Sequence, residues 1–317
     1  MRERRLGQRE IYNRALEWKI VRFFIGISKK LILPGFDGLP LYNVAVFFFR
    51  GIYQGYIATR ASAVSFNFFL AIFPFLIFLF TIIPFIPIEN FQVTLLSLIH
   101  DFMPKSAYDT VKDTVEDIVT RPRGDLLSLG FIFALYFATN GVNSMMEAFN
   151  NTYHTIETRS WFRQRMISSL LVIILSLLLI IAIGLMTLGP VLLAAFIPER
   201  ILESSFYSFF LWLGTWAIVL FTLFFAISFI YYLAPARRRD FRFISAGSSL
   251  ATLLVIITTL GFNFYVDNFS RYNILYGSIG TLIAVLLWIY FNSISLLIGF
   301  ELNASIFNAK KENSSGR

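Results

Sequence analysis

Long runs of Phe, Leu, Ile and Val alternate with short polar segments along this 317-residue chain. A bilayer core about 30 Å thick takes roughly 20 apolar residues in helix. Six stretches meet that length: 64–88, 126–149, 167–197, 206–233, 243–266 and 274–307. They are too long and too evenly apolar for barrel strands, which alternate over segments of about 10 residues. The pattern therefore predicts an all-α, polytopic membrane protein with six transmembrane helices. Pro74, Pro84, Pro87 and Pro190 fall within these runs and predict kinks or ends there.

The polar segments carry patterns of their own. Over 9–31, Ile11, Ala15, Trp18 and Ile25 recur at helical spacing, with Arg14, Lys19, Arg22, Lys29 and Lys30 mostly toward other sides. A basic amphipathic helix of this kind lies on a membrane surface. Pro34, Gly35, Gly38 and Pro40 break it, and a second, more apolar interfacial helix is predicted over 41–60. In the loop 89–125, Phe91, Leu95, Leu98 and Phe102 form one helical stripe, and Tyr108, Val111, Val115 and Ile118 form another. Pro104 separates them, so an external amphipathic helical hairpin is expected. The chain then divides into an interfacial part, 1–60, a transmembrane domain, 61–307, and a polar tail, 308–317, expected to be disordered.

Composition strengthens this picture. Hydrophobic residues make up 57% and charged residues 15%, against about 45–50% and about 25% in soluble domains. The chain has no Cys, which excludes disulfides, thiolate nucleophiles and Cys-based metal sites. The net charge of +8 is explained by where it lies. Alternate loops and termini hold 21 Lys and Arg on one side and six on the other. The richer side is expected to be cytoplasmic, with both termini there. Topology and attraction to anionic lipid heads account for the charge, and nucleic acid is not an expected partner.

Four segments resemble the YihY/BrkB family of bacterial inner-membrane proteins. They are Arg60-Ala-Ser-Ala-Val-Ser-Phe-Asn67 running on to Pro74, and Ala148-Phe-Asn-Asn-Thr-Tyr153 with the basic stretch after it. The others are Tyr232-Leu-Ala-Pro235 with its Arg cluster and Gly247, and Tyr276-Gly-Ser-Ile-Gly280 with Trp288-Ile-Tyr290 and Gly299-Phe-Glu-Leu-Asn303. Ala236 departs from the polar residue, often Asn, that such proteins carry after the proline. The resemblance implies six spans, a bacterial cytoplasmic membrane and a role in the cell envelope. Members once carried a ribonuclease label, generally regarded as mistaken; other proposals connect relatives with lipid transport.

Candidate chemistry sits on the spans. Asn140, Asn143, Glu147 and Asn150 share one face of the second span. Such a stripe does not face lipid cheaply. It lines either a polar substrate path or an interhelical hydrogen-bonded seam. The same alternatives apply to Asn292, Ser295 and Asn303 on the sixth span and to Asn67 on the first. Glu301 lies near the cytoplasmic end of the sixth span, at a depth similar to Arg60. It is read as half of an ion pair, Arg60 with Glu301 or Glu147, or as a proton-coupling carboxylate. Arg237, Arg238, Arg239 and Arg242 are expected to contact anionic lipid.

No phosphate-binding Gly-Lys loop, zinc helix motif or dinucleotide turn occurs. The acidic residues gather in the external loop, away from cytoplasmic RNA, so neither enzyme activity, cofactor nor metal is expected. The expected function is transport or translocation of a lipid or other amphipathic envelope substrate. The rival is a non-transporting scaffold or partner in envelope assembly. Membrane lipids, and envelope assembly proteins under the rival, are the expected partners. A reporter active only in the cytoplasm, fused after Arg317, is expected to be active in cells; one active only beyond the membrane is expected to be silent.

Overall fold

A computed structural model describes residues 26–85, 121–150, 160–196, 205–236, 242–268 and 278–315. They form helices α1 (Leu41–Gln54), α2 (Ile57–Ile82), α3 (Gly124–Asn150), α4 (Trp161–Phe196), α5 (Ser205–Leu233), α6 (Ala246–Asn268) and α7 (Ser278–Ser315). In lipid the backbone must satisfy its own hydrogen bonds, and an unbroken helix does so residue by residue. Among the described residues, α2 to α7 supply six helices long and apolar enough to cross a membrane. The chain is thus an all-α membrane protein.

Several boundaries differ from the sequence expectation. The first span begins at Ile57, so Arg60 lies inside α2 rather than in the interfacial helix. That interfacial helix stops at Gln54, where Gly55 and Tyr56 (φ 49°) turn the chain. Pro74 and Pro190 do not end α2 or α4, which continue through both. Pro84 sits in the short 3-10 turn Ile83–Phe85 that closes α2. The predicted disordered tail needs correction over 308–315, because α7 runs on to Ser315. Ala309 in that stretch, and Ile306 just before it, are buried against Phe36, Leu39 and Val44, an apolar contact at the base of a stretch whose composition is polar. The basic helix over 9–31 falls almost wholly outside the described residues, as does the external hairpin before residue 121.

Each span packs on its neighbour in sequence, and α7 closes back onto α2, giving a ring of six helices. Helix α1 packs on α7. The start of α2, the end of α3, the start of α4, the end of α5, the start of α6 and the end of α7 all meet at one end. We call it the basic end, after Arg60, Arg163, Arg165, Arg242 and Lys310.

The buried core gathers at this end, around Val64, Met146, Leu171, Ile227, Tyr231 and Leu297. Three alternate helices meet across it: the Phe149 ring of α3 stacks on Phe300 of α7 at 4.3 Å, and Tyr231 of α5 meets both edge-on at 5.6 and 5.7 Å. The approach of α6 to α7 depends on glycine. A Cβ on Gly247 would stand 2.2 Å from the Gly299 carbonyl oxygen, and one on Gly299 would stand 2.6 Å from the Ala251 Cβ. Small residues of this kind let helices meet in lipid, where no hydrophobic force draws them together.

The other half is different. A Cβ on Gly184, Gly189, Gly214 or Gly261 would meet nothing within 4 Å. Phe209, Phe210, Trp212, Leu213 and Trp216 point from several faces of α5, and all are exposed. Helices α4 and α5 stand more open beyond the basic end, whereas α2 and α3 stay close there: a Cβ on Gly130 would fall 3.2 Å from the Phe78 backbone.

This contrast predicts opposite effects for similar substitutions. Gly299→Val should cost about 1–3 kcal/mol through overpacking, whereas Gly214→Ala should cost nothing and can gain up to about 1 kcal/mol of helix propensity. Melting temperatures of the purified variants in detergent check both.

Candidate functional site

The basic end brings four helices onto one buried ion pair. Arg60 projects from the first turn of α2, and its Nη2 lies 3.5 Å from Oε2 of Glu301 on α7. Arg60 Nη1 donates to the carbonyl oxygen of Ala148, in the last turn of α3, at 2.7 Å. That carbonyl belongs to the negative end of the α3 dipole, which favours a cation. Glu301 is wholly buried, and the Arg60 side chain keeps 11% of its surface exposed.

Helix α1 covers the pair. A Cβ on Gly51 would fall 2.0 Å from Glu301 Oε1, and one on Gly55 would fall 3.0 Å from Arg60 Nη2. Any side chain at position 51 would displace the carboxylate. The pair therefore fixes α2 and α7 to each other, with α3 through its carbonyl and α1 through its missing side chains. Arg60 meets Glu301 and not Glu147.

Glu147 instead serves the α3–α4 seam. Its Oε1 accepts from Asn143 Nδ2 at 2.9 Å and from Gln164 Nε2 at 3.2 Å. Arg165 donates to Asn140 Oδ1, and its guanidinium lies 4.8 Å from the Tyr136 ring centroid. Asn150 Oδ1 accepts the backbone N–H of Ala236 at 3.0 Å, tying α3 to the end of α5. That contact uses backbone, so the absence of a polar side chain at 236 leaves it intact. Asn67 donates to Ser144 Oγ at 3.2 Å, linking α2 to α3.

The α6–α7 seam is similar. Asn303 accepts from the Gly247 N–H at 2.8 Å and donates to Ser245 Oγ at 2.9 Å. Ser295 Oγ pairs with Thr258 Oγ1 at 3.0 Å. Asn292 stands apart: its Nδ2 bonds within its own helix, to Trp288 O at 2.8 Å, and its buried Oδ1 accepts no hydrogen bond. A buried acceptor without a donor costs about 1–3 kcal/mol, so Asn292, like the buried hydroxyl of Ser228, is a polar residue that packing alone does not explain.

A second charged cluster went unread in the sequence. Asp37 sits at φ 53° in a tight loop, between Gly35 at φ 83° and Gly38 at φ 79°. It meets Arg242 Nη1 at 2.9 Å and Lys310 Nζ at 3.0 Å. The segment before α1, the loop before α6 and the tail of α7 are thereby joined. Arg237, Arg238 and Arg239 lie outside the described residues. Sequence reading also missed Gly51, Tyr231 and Ser144, whose roles arise only from tertiary contact. The pairing of loop glycines around Asp37 was the one available signal.

The profile of the family described as Virulence factor BrkB matches residues 48–317. The chain belongs to the BrkB family. Its four-helix ion pair lies inside the matched region, whereas Asp37 lies before it. The chain is similar to the ribonuclease-like protein YfkH of Bacillus subtilis, 32% identical over 256 residues, covering 80% of this chain and 91% of that protein. It is also similar to UPF0761 membrane proteins. One from Aggregatibacter aphrophilus is 25% identical over 273 residues, covering 84% of this chain and 92% of the relative. One from Haemophilus influenzae is 24% identical over 270 residues, covering 84% and 96%. No solved structure matches this BrkB-family chain.

Removing one partner of a buried ion pair leaves the other uncompensated, at about 3–5 kcal/mol. Glu301→Leu or Arg60→Met alone should lower the melting temperature of the purified protein steeply. The double variant should regain most of that loss, because neither charge is then stranded. A double-mutant cycle read by thermal melting checks the coupling.

Proposed function

We propose that this BrkB-family protein handles an amphipathic lipid of the bacterial cytoplasmic membrane, admitting it between spread helices and moving it across part of the bilayer. The basic end faces the cytoplasm, where Lys and Arg are retained. One observation carries the reading: the helices are sealed at the basic end by Phe149, Tyr231 and Phe300, while α4 and α5 stand more open, with apolar side chains, toward the other. An apolar opening within the membrane suits acyl chains and not a hydrated solute. Asn292, near the middle of α7, offers an unused acceptor to a polar headgroup passing it. No nucleotide site is expected from the sequence, so movement is passive, coupled to an ion or driven by a partner.

A second reading, a non-transporting scaffold in envelope assembly, is favoured by a different observation. Asn67, Asn140, Asn150 and Asn303 are all bonded between helices or to loop backbone, as they would be in a dry structural bundle. Neither reading uses ribonuclease chemistry. Asp37, Glu147 and Glu301 each answer to a cation or an amide.

Purified protein in liposomes with headgroup-labelled lipids separates the two. Transport predicts label crossing faster than in empty liposomes, and Asn292→Ala should slow it without loss of expression. No movement above empty liposomes across several lipid classes would remove the transport reading and leave the scaffold.

A further inference from the structure

A groove between α5 and α6 lies apart from both the seal and the spread half. Its volume is about 350 Å³, and its walls are Leu220, Phe221 and Phe224 from α5 and Ser249, Thr252, Leu253 and Ile256 from α6. The two hydroxyls do not make it polar. Thr252 donates to Ser248 O at 2.8 Å and Ser249 to Ser245 O at 3.2 Å, so both are tied to their own helix. What remains is an apolar trough opening sideways to lipid.

Its basic end has a different character. Ala246, Ser249 and Leu253 follow one another along a single face of α6. The Asp37 loop rests on the top of that face, where a Cβ on Gly35 would stand 3.2 Å from the Ala246 Cβ. Asp37 holds Arg242 and Lys310 there, one carboxylate between two cations, so this cluster of described residues has one positive charge in surplus. Both cations reach water, with 68% and 58% of their side-chain surfaces exposed. Beside Arg242, the Phe243 ring packs on Phe229 at 4.8 Å and on Phe225 and Tyr232 at 6.1 Å. These rings form a shoulder where aromatic residues commonly mark headgroup depth.

We propose that the α5–α6 groove is a binding site for an anionic phospholipid, with one acyl chain along Leu220, Phe224 and Leu253 and the phosphate against Arg242 and Lys310. Charge selects the class: the surplus cation is balanced by a phosphodiester that carries no positive group of its own, and the trough beneath takes the chain. A phosphate alone would leave the trough empty, and a zwitterionic lipid would bring its own cation to a site already positive. The site goes beyond the transport reading and stands whether or not the protein moves lipid.

The test uses the full chain, purified in detergent and incubated with phosphatidylglycerol or phosphatidylcholine, with retained lipid counted by native mass spectrometry. Phosphatidylglycerol is expected to be retained about fivefold better, the factor that one surface cation supplies. Arg242→Gln should bring it down to the phosphatidylcholine level. Leu253→Trp should fill the groove and remove retention of both lipids, and Leu220→Trp should do the same from the opposite wall. Leu260→Trp is the control: it is two turns further along the same face and similarly exposed, at 54% against 55% for Leu253. It should leave retention unchanged. Equal retention of the two lipids by the unaltered protein would overturn the proposal. So would full retention by a Leu253→Trp variant that elutes as a single folded species. If inorganic phosphate alone displaces phosphatidylglycerol completely at matched concentration, the site is an anion site without a chain, and the proposal also fails.

Discussion

Neither lipid nor a packed protein interior solvates a lone charge, and this constraint organises the basic end. Arg60 and Glu301 are each tolerable only beside the other. Their meeting brings α2 and α7, the first and last spans, together and closes the ring. The terminal carbonyl of α3 completes the guanidinium's environment, and α1 lies close enough to cover it only because position 51 carries no side chain. The aromatic contact among Phe149, Tyr231 and Phe300 then fills the centre of the same layer.

Away from that layer the physics changes. Helices in lipid gain nothing from hiding apolar surface, so they adhere where small residues allow contact or where polar side chains can bond. Gly247, Gly299 and Asn303 supply both at one height. The far half of α4 and α5 has little of either, one bond from Tyr207 Oη to the Pro190 carbonyl oxygen at 3.4 Å; its Phe, Leu and Trp side chains are as comfortable against acyl chains as against each other. The molecule thus joins a closely packed end to a more open α4–α5 half.

The six spans were legible because run length and apolarity suffice when the backbone must satisfy itself. Their ends were less so. Hydropathy starts the first span at Val64 and leaves Arg60 and Ser62 outside it, yet both lie in α2, where Arg60 reaches Glu301 of α7. Likewise Lys310 and Asn308 make the C-terminal stretch look disordered, although Ala309 between them is buried on the Asp37 loop. The polar stripe of α3 was visible as a stripe. Its division among Gln164, Arg165, Ser144 and the Ala236 backbone was not, because partners on other helices leave no periodic trace. Gly51 shows the limit clearly: its importance is the nearness of a carboxylate 250 residues away in sequence.

At a rise of about 1.5 Å per residue, the 38 residues of α7 make a rod about 57 Å long, nearly twice the thickness of the hydrocarbon layer. Glu301 lies partway along it, and Lys310 lies some two and a half turns beyond. Glu301 is held to Arg60 of the first span, so a load on the polar tip of α7 would turn the last span about that ion pair as a lever turns about its fulcrum.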